Sequence, residues 1–359
     1  MLSQTQKIFL FAVLCILTAC SIFLIDRYQD VGEQLLLNPD FADGLQGWHV
    51  RQTLSAEVSV KNNVLQVRSD SIKENVQIRQ EVPTVFNGAK LRLGATLKTE
   101  NVRGDGKSWS RARLVLIQPH QWKGRYFSFR VVAALSGTND WQGYSKVFST
   151  VRNLGSQVRI QLSHSQGAFF VKDLSLYRVE ERAVYQWIKW LFIVLWISFI
   201  AILFVPVLKA KRNIVPLIAV PVLFLIVIGT AMSGSIKNHL KYVLLSKLDR
   251  YIFSIQEVRW EIGYWFHYEP ATLDITKVGH FFLFGAFTFM FILGNPGRSK
   301  VRQMGDIFML ACATECIQFY IDGRSPLFSD VLIDMAGGLT ALGLYLLLVQ
   351  VGLGKRLTA

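Results

Sequence analysis

Residues 187–208, WIKWLFIVLWISFIAILFVPVL, decide the class of this protein. A bilayer core takes about 20 predominantly apolar residues in helical form, and this run carries one charge, Lys189, near its start. Runs of the same character cover residues 8–25, 214–232, 278–294, 307–321 and 331–353, which makes six expected spans. A chain of 359 residues that is 51% hydrophobic fits that reading better than an ordinary soluble domain.

Charge sets the sidedness. Lys209, Lys211 and Arg212 follow the second span, Arg298, Lys300 and Arg302 the fourth, and Lys355 and Arg356 the sixth. The positive-inside rule puts all three groups in the cytoplasm. Both termini are then cytoplasmic, and residues 27–184, 233–277 and 322–330 lie outside. The formal charge of +14 is scattered along the chain, so no nucleic-acid partner is expected. Cys15, Cys20, Cys312 and Cys316 all lie in apolar runs, which leaves the polar middle without disulfides or a cysteine metal site. Leu17-Thr18-Ala19-Cys20 resembles a lipoprotein cleavage box, with Cys20 the residue to be lipidated. Because the apolar run continues to Ile25, the favoured reading is an uncleaved anchor.

The polar middle alternates at period two: Val58 and Val60, then Leu91, Leu93, Ala95 and Leu97, then Val158, Ile160 and Leu162. Punctuated by Asn87-Gly88, Gly104-Asp105-Gly106 and Gly137-Thr138-Asn139, it predicts one antiparallel β-sandwich. Asn38-Pro39-Asp40-Phe41, Gly44, Gly47-Trp48, Trp141-Gln142-Gly143-Tyr144, Phe148 and the closing strand 171–176 resemble the carbohydrate-binding modules of the CenC type. The resemblance implies a galactose-binding-like jelly roll and glycan binding; some members of that family hold a structural calcium where Asp40 and Asp173 fall, but the favoured reading is solvated strand-end aspartates and no cofactor. Sugar rings stack on flat aromatic faces, and Trp109, Trp122 and Tyr126 are the candidates. Their basic neighbours Arg111, Arg113, His120, Lys123 and Arg125 suit an anionic glycan or a lipid head group. The competing reading makes these aromatics core or loop anchors. Trp48 and Trp141 are assigned to the core.

Ionisable residues inside spans are rare, so each is a candidate for function. Lys277 and His280 sit at the outer end of the fourth span, Glu315 and Gln318 on one face of the fifth, and Asp330 and Asp334 on the sixth, with Arg324 between the last two spans. An ion-pair network that only locks helices together, for instance His280 with Glu315 and Arg324 with Asp330, is the alternative. Lys277-Val278-Gly279-His280-Phe281, Thr314-Glu315-Cys316-Ile317-Gln318-Phe319, Gly323-Arg324-Ser325-Pro326 and residues 330–337 resemble the VanZ-like membrane family over residues 277–349. Two positions depart from that family: Thr276 stands where an acid is usual, and Asp334 where Asn is usual. The resemblance implies a bacterial cell-envelope protein of a group with a link to glycopeptide resistance, and no settled reaction.

The expected layout is mixed. An N-terminal transmembrane anchor (1–29) is followed by an extracytoplasmic, carbohydrate-binding-module-like β-sandwich (30–182) and transmembrane helices 2 and 3 (183–235). An extracytoplasmic amphipathic segment (236–276), apolar along Ile236, Leu240, Val243 and Leu244, then leads to a VanZ-like domain with helices 4 to 6 (277–353), completing an α-helical bundle of about five transmembrane helices. The expected role is binding: an envelope polysaccharide on the sandwich, and a membrane lipid or lipid-linked glycan in an outer-leaflet polar pocket. A membrane-embedded enzyme on a lipid-linked glycan, with Glu315 or His280 as general base, is the alternative, and a small transporter the second. A reporter active only outside the cytoplasm should work when fused near residue 150 or 325 and fail near 211, 300 or 359; activity at 359 overturns the six-span topology.

Overall fold

Alternating apolar residues give strands, and unbroken apolar runs give helices, in the computed structural model of this chain. It describes residues 2–51, 56–107, 109–122, 125–152, 154–208, 214–234, 236, 240 and 275–351. Two compact units result, Arg27–Arg182 and Met1–Asp26 with Ala183–Ala359.

The first unit is an antiparallel sandwich of β1 (Tyr28–Val31), β2 (His49–Arg51), β3 (Ala56–Lys61), β4 (Val64–Ser69), β5 (Asn75–Val82), β6 (Lys90–Gly104), β7 (Ala112–Trp122), β8 (Arg125–Leu135), β9 (Gly137–Ser149), β10 (Ser156–Ser163) and β11 (Ser165–Glu181). One sheet runs β3-β4-β11-β6-β9, with β1 on β11; the other runs β2-β5-β10-β7-β8. Leu65, Leu93, Leu97, Phe169 and Leu176 of the first sheet meet Ile78, Leu114, Leu116, Ile160 and Leu162 of the second in a core sealed from solvent. Asn62 and Asn63 both take positive φ, which lets a two-residue turn join β3 to β4 with the twist of the flanking strands. Trp48 is buried against Phe41, with ring centroids 5.6 Å apart, and its Nε1 donates to Asn38 O at 3.2 Å.

The helical unit holds α1 (Gln4–Leu24), α2 (Ala183–Leu208), α3 (Ile214–Ala231), α4 (Ile275–Gly294), α5 (Lys300–Gln318) and α6 (Phe328–Gln350). Each coincides with one of the six apolar runs, but only four, Gln4–Leu24, Ala183–Val205, Lys277–Gly294 and Phe328–Gln350, are long and apolar enough to cross a membrane. The apolar part of α3, Val215–Ala231, is shorter, and α5 carries Lys300, Arg302, Asp306 and Glu315. The amphipathic segment expected at 236–276 lies almost wholly outside the described residues.

α1 is hooked into this unit by polar bonds as well as packing. Trp196 Nε1 donates to Thr18 Oγ1 at 3.0 Å, and Ser21 Oγ lies 2.6 Å from Tyr320 Oη. Both hooks flank exposed Cys20. α4 and α6 approach backbone to backbone: a Cβ on Gly337 would stand 2.2 Å from Phe281 O, and one on Gly285 3.2 Å from Gly337 O. Small residues permit this kind of approach where lipid supplies no hydrophobic drive. Gly337→Ala should therefore destabilise the protein by about 1 to 3 kcal/mol in detergent thermal unfolding. Gly285→Ala should cost less, and Gly279→Ala, where a Cβ meets nothing within 4 Å, should leave the melt unchanged. A wild-type melt for Gly337→Ala would refute the close approach.

Candidate functional site

Around the α4–α6 seam and the α5–α6 connection direct bonds link two pairs, and Glu315 also lies close enough to His280, Asp330 and Asp334 to feel their charges. Gly337 is three residues beyond Asp334, so the helix approach that it permits also brings α6's carboxylate to α4: His280 Nδ1 lies 3.0 Å from Asp334 Oδ1. Asp334 is 0% exposed in its side chain. Glu315 makes its bonds toward the α5–α6 connection. Its Oε2 accepts from Leu327 N at 2.9 Å, and its Oε1 accepts from Gln318 Nε2, so the i,i+3 pair meets. Gly323, at φ +69°, shapes that connection, and Gly234 N donates to Asp322 O at 3.0 Å.

Arg324 sits half-buried in this connection. Burial pulls its guanidinium below the ordinary arginine pKa, while the carboxylates of Glu315 and Asp330 pull it back up. It makes no direct ion pair with either, so the pairings expected from sequence, His280 with Glu315 and Arg324 with Asp330, give way to His280 with Asp334 and Glu315 with the Leu327 amide. Asp330 accepts from Ser329 Oγ at 3.4 Å in the first turn of α6, where the helix dipole favours an acid. Lys277 is exposed and joins none of these bonds. Arg324 Nε and Asp334 Oδ2 are buried without a hydrogen-bond partner.

In the sandwich, the polar groups gather on the face of the β2-β5-β10-β7-β8 sheet turned away from the core. Register places His49, Arg79, Arg159 and Val115 in one row, and Arg51, Gln77, Gln161 and Arg113 in the next. Arg159 donates to Gln157 Oε1 at 2.7 and 3.0 Å and to Gln77 Oε1 at 3.2 Å; Arg113 donates to Gln161 Oε1 at 2.8 Å. Gln157 in turn donates to Glu81. Only 8% of Arg159 is exposed, and its pKa is drawn down by burial, then by Arg79 and Arg51, while the carboxylate of Glu81 raises it. The alternation Gln77-x-Arg79-x-Glu81 and Gln157-x-Arg159-x-Gln161 was the available signal, but it is also what any solvated strand face looks like.

Of the aromatic candidates, Trp109 is exposed beside Lys107, whose Nζ lies 5.7 Å from the ring centroid. Trp122 and Tyr126 belong to β7 and β8, the strand pair at the edge of this sheet, and their side chains lie outside the described residues. Trp141 is not core. It is 37% exposed on the other sheet, against Phe170 at 6.3 Å and with Lys172 Nζ 4.9 Å from its centroid. Of the two positions named for calcium, Asp40 accepts from Ala42 N through Oδ1, and Asp173 is exposed. Among the described residues no group of three or more His, Cys, Asp or Glu gathers to hold a metal.

Residues 189–349 match the family model described as VanZ/LLP1. No curated relative matches the chain. The sandwich is similar to solved carbohydrate-binding modules. A family 16 carbohydrate-binding module 2 is 17% identical over 40% of this chain and 99% of that one, with a TM-score of 0.29. The xylan-binding CBM22-1 domain from Paenibacillus barcinonensis is 14% identical over 43% and 99%, with a TM-score of 0.30. The enzymatically active domain of tailspike protein 4 from bacteriophage CBA120 is 12% identical over 40% of this chain and 21% of that one, with a TM-score of 0.31.

The buried pair yields a stability test. Asp334→Asn keeps an acceptor for His280 Nδ1 and should melt within about 0.5 kcal/mol of wild type, whereas Asp334→Leu strands the imidazole and should cost about 1 to 3 kcal/mol. Equal melts for the two variants in detergent would remove the pair from the account.

Proposed function

We propose that this multi-pass protein lies in the bacterial cytoplasmic membrane with both termini inside, and that its extracytoplasmic sandwich holds an anionic envelope glycan on the basic face of the β2-β5-β10-β7-β8 sheet. The carrying observation is that face, on which Arg51, Arg79, Arg113 and Arg159 stand in two neighbouring rows of the sheet. A guanidinium presents its donors in a planar fork that matches carboxylate or phosphate oxygens. Gln77, Gln157 and Gln161 fix two of these forks in advance, which lowers the ordering cost of binding. Trp122 and Tyr126, on the adjoining strand pair, supply the stacking surfaces.

The helical unit complements this by receiving the head group of a lipid-linked glycan at the outer leaflet. Two buried polar atoms without partners, a donor on Arg324 and an acceptor on Asp334, support that role, because a ligand bearing both phosphate and hydroxyl groups satisfies both. His280 and Glu315 are engaged with protein partners and act by orienting these groups.

Arg51 and Arg79 are exposed, so Arg51→Ala with Arg79→Ala should leave the melt unchanged. The affinity of the full-length protein for an acidic polysaccharide such as polygalacturonate should fall about 5- to 30-fold, at about 0.5 to 1 kcal/mol per charge. Wild-type binding should weaken as salt rises from about 0.05 to 0.5 M. Calorimetry showing salt-independent binding, or equal affinity in the double variant, overturns the basic-face assignment.

A further inference from the structure

A second polar centre lies at the end of the helical unit where α1 and α5 begin. A cavity of about 960 Å³ opens there between the first turn of α1, the last turns of α2 and the α4–α5 connection. Lys7, Arg298 and Arg302 line it together with the apolar Ile202 and Val205 of α2. Behind the cations sits Asp306, with 0% of its side chain exposed. Lys7 Nζ reaches its Oδ2 at 3.2 Å and Arg298 Nη1 reaches the same oxygen at 2.6 Å, while Gln4 Nε2 donates to Oδ1 at 3.3 Å. Gln4 Oε1 then accepts from Arg298 Nη2 at 3.0 Å, so the cluster fixes both cations in place.

Charge at this centre does not balance. Among the described residues three cations face one carboxylate whose two oxygens are already engaged, and Arg302 stands exposed at the rim with no anionic partner of its own. The peptide dipoles of α1 and α5 add positive potential at the same end, and the N-cap of α5, Ser299, makes no side-chain capping bond. Lys7, 7% exposed in its side chain, and Arg298, at 22%, share one carboxylate and leave one positive charge over in a largely buried place, which calls for an anion.

We propose that this cavity binds a phosphate group, carried by an anionic phospholipid whose acyl chain lies along Ile202 and Val205. Basic pockets between transmembrane helices suit such head groups. On the topology proposed above, this end is cytoplasmic; the site itself does not depend on that reading.

The test uses the purified full-length chain in mild detergent, with its melting temperature followed on titration with phosphatidylglycerol, phosphatidylcholine or inorganic phosphate. Phosphatidylglycerol should protect at a concentration at least about tenfold below phosphatidylcholine. Arg302→Gln spares the Asp306 cluster, so its lipid-free melt should match wild type while its half-saturation by phosphatidylglycerol rises about fivefold; Arg302→Lys should restore binding. Protection by inorganic phosphate, with nothing added by the lipid, supports the same site with a soluble phosphate ligand. Equal responses to both lipids without a response to phosphate, or an unchanged half-saturation in Arg302→Gln, overturns the proposal. Arg302→Gln should bind acidic polysaccharide as wild type does, which separates failure here from failure of the glycan reading.

Discussion

The helical unit depends on one contact, the meeting of the α4 and α6 backbones at Gly337 and Phe281. Nothing larger than a hydrogen atom fits between them. This approach fixes the height and rotation of α6 against α4, and hence the 3.0 Å separation of His280 and Asp334. A carboxylate sealed from solvent is tolerable only when a partner is held in reach, so the small residues of the seam and the charged pair belong to one constraint.

Much of this was legible in the sequence because it is written in local periods. Alternation over residues 91–97 and 158–162 marks strands whose inward residues are the observed core, and each apolar run became a helix. What lay beyond reach was long-range pairing. Glu315 and Gln318 meet because one turn separates them, a local fact. Lys7 and Asp306 are separated by 299 positions, and α5 begins at Lys300, several residues before the apolar run that announced it. Asp306 therefore stood just outside the expected span, although it is among the most deeply buried charges in the described structure.

Trp141 and Arg159 show the same limit on the sandwich. A tryptophan in a strand is apolar enough for a core, yet β9 is an edge strand and the ring lies on its open face with Lys172 above it. An arginine in an alternating strand reads as solvated, yet Arg159 is walled in by glutamines from its own strand and from β5. For Trp141 the core assignment fails, and for Arg159 the outward face is right but its surroundings are not solvent. What that face encounters depends on strand order, which the pattern does not contain.

The ends of the sandwich have a mechanical meaning. Its first and last strands are neighbours, with Tyr28 opposite Glu181, and the chain continues into α1 on one side and α2 on the other. Any load passed between the sandwich and the helices goes through these two adjacent exits. In an antiparallel pair pulled from side-by-side ends, hydrogen bonds open one after another instead of sharing the force. Arg27, bonded to Glu181 at 2.8 Å, and Lys90, 3.7 Å from the same carboxylate, latch that end, and both cations lie over the Tyr28 ring at 5.0 and 5.2 Å. The root of the sandwich thus resembles a zipper closed by a clasp: parting the two exits must break the contacts of Glu181 and Tyr28 before the β1–β11 ladder can open.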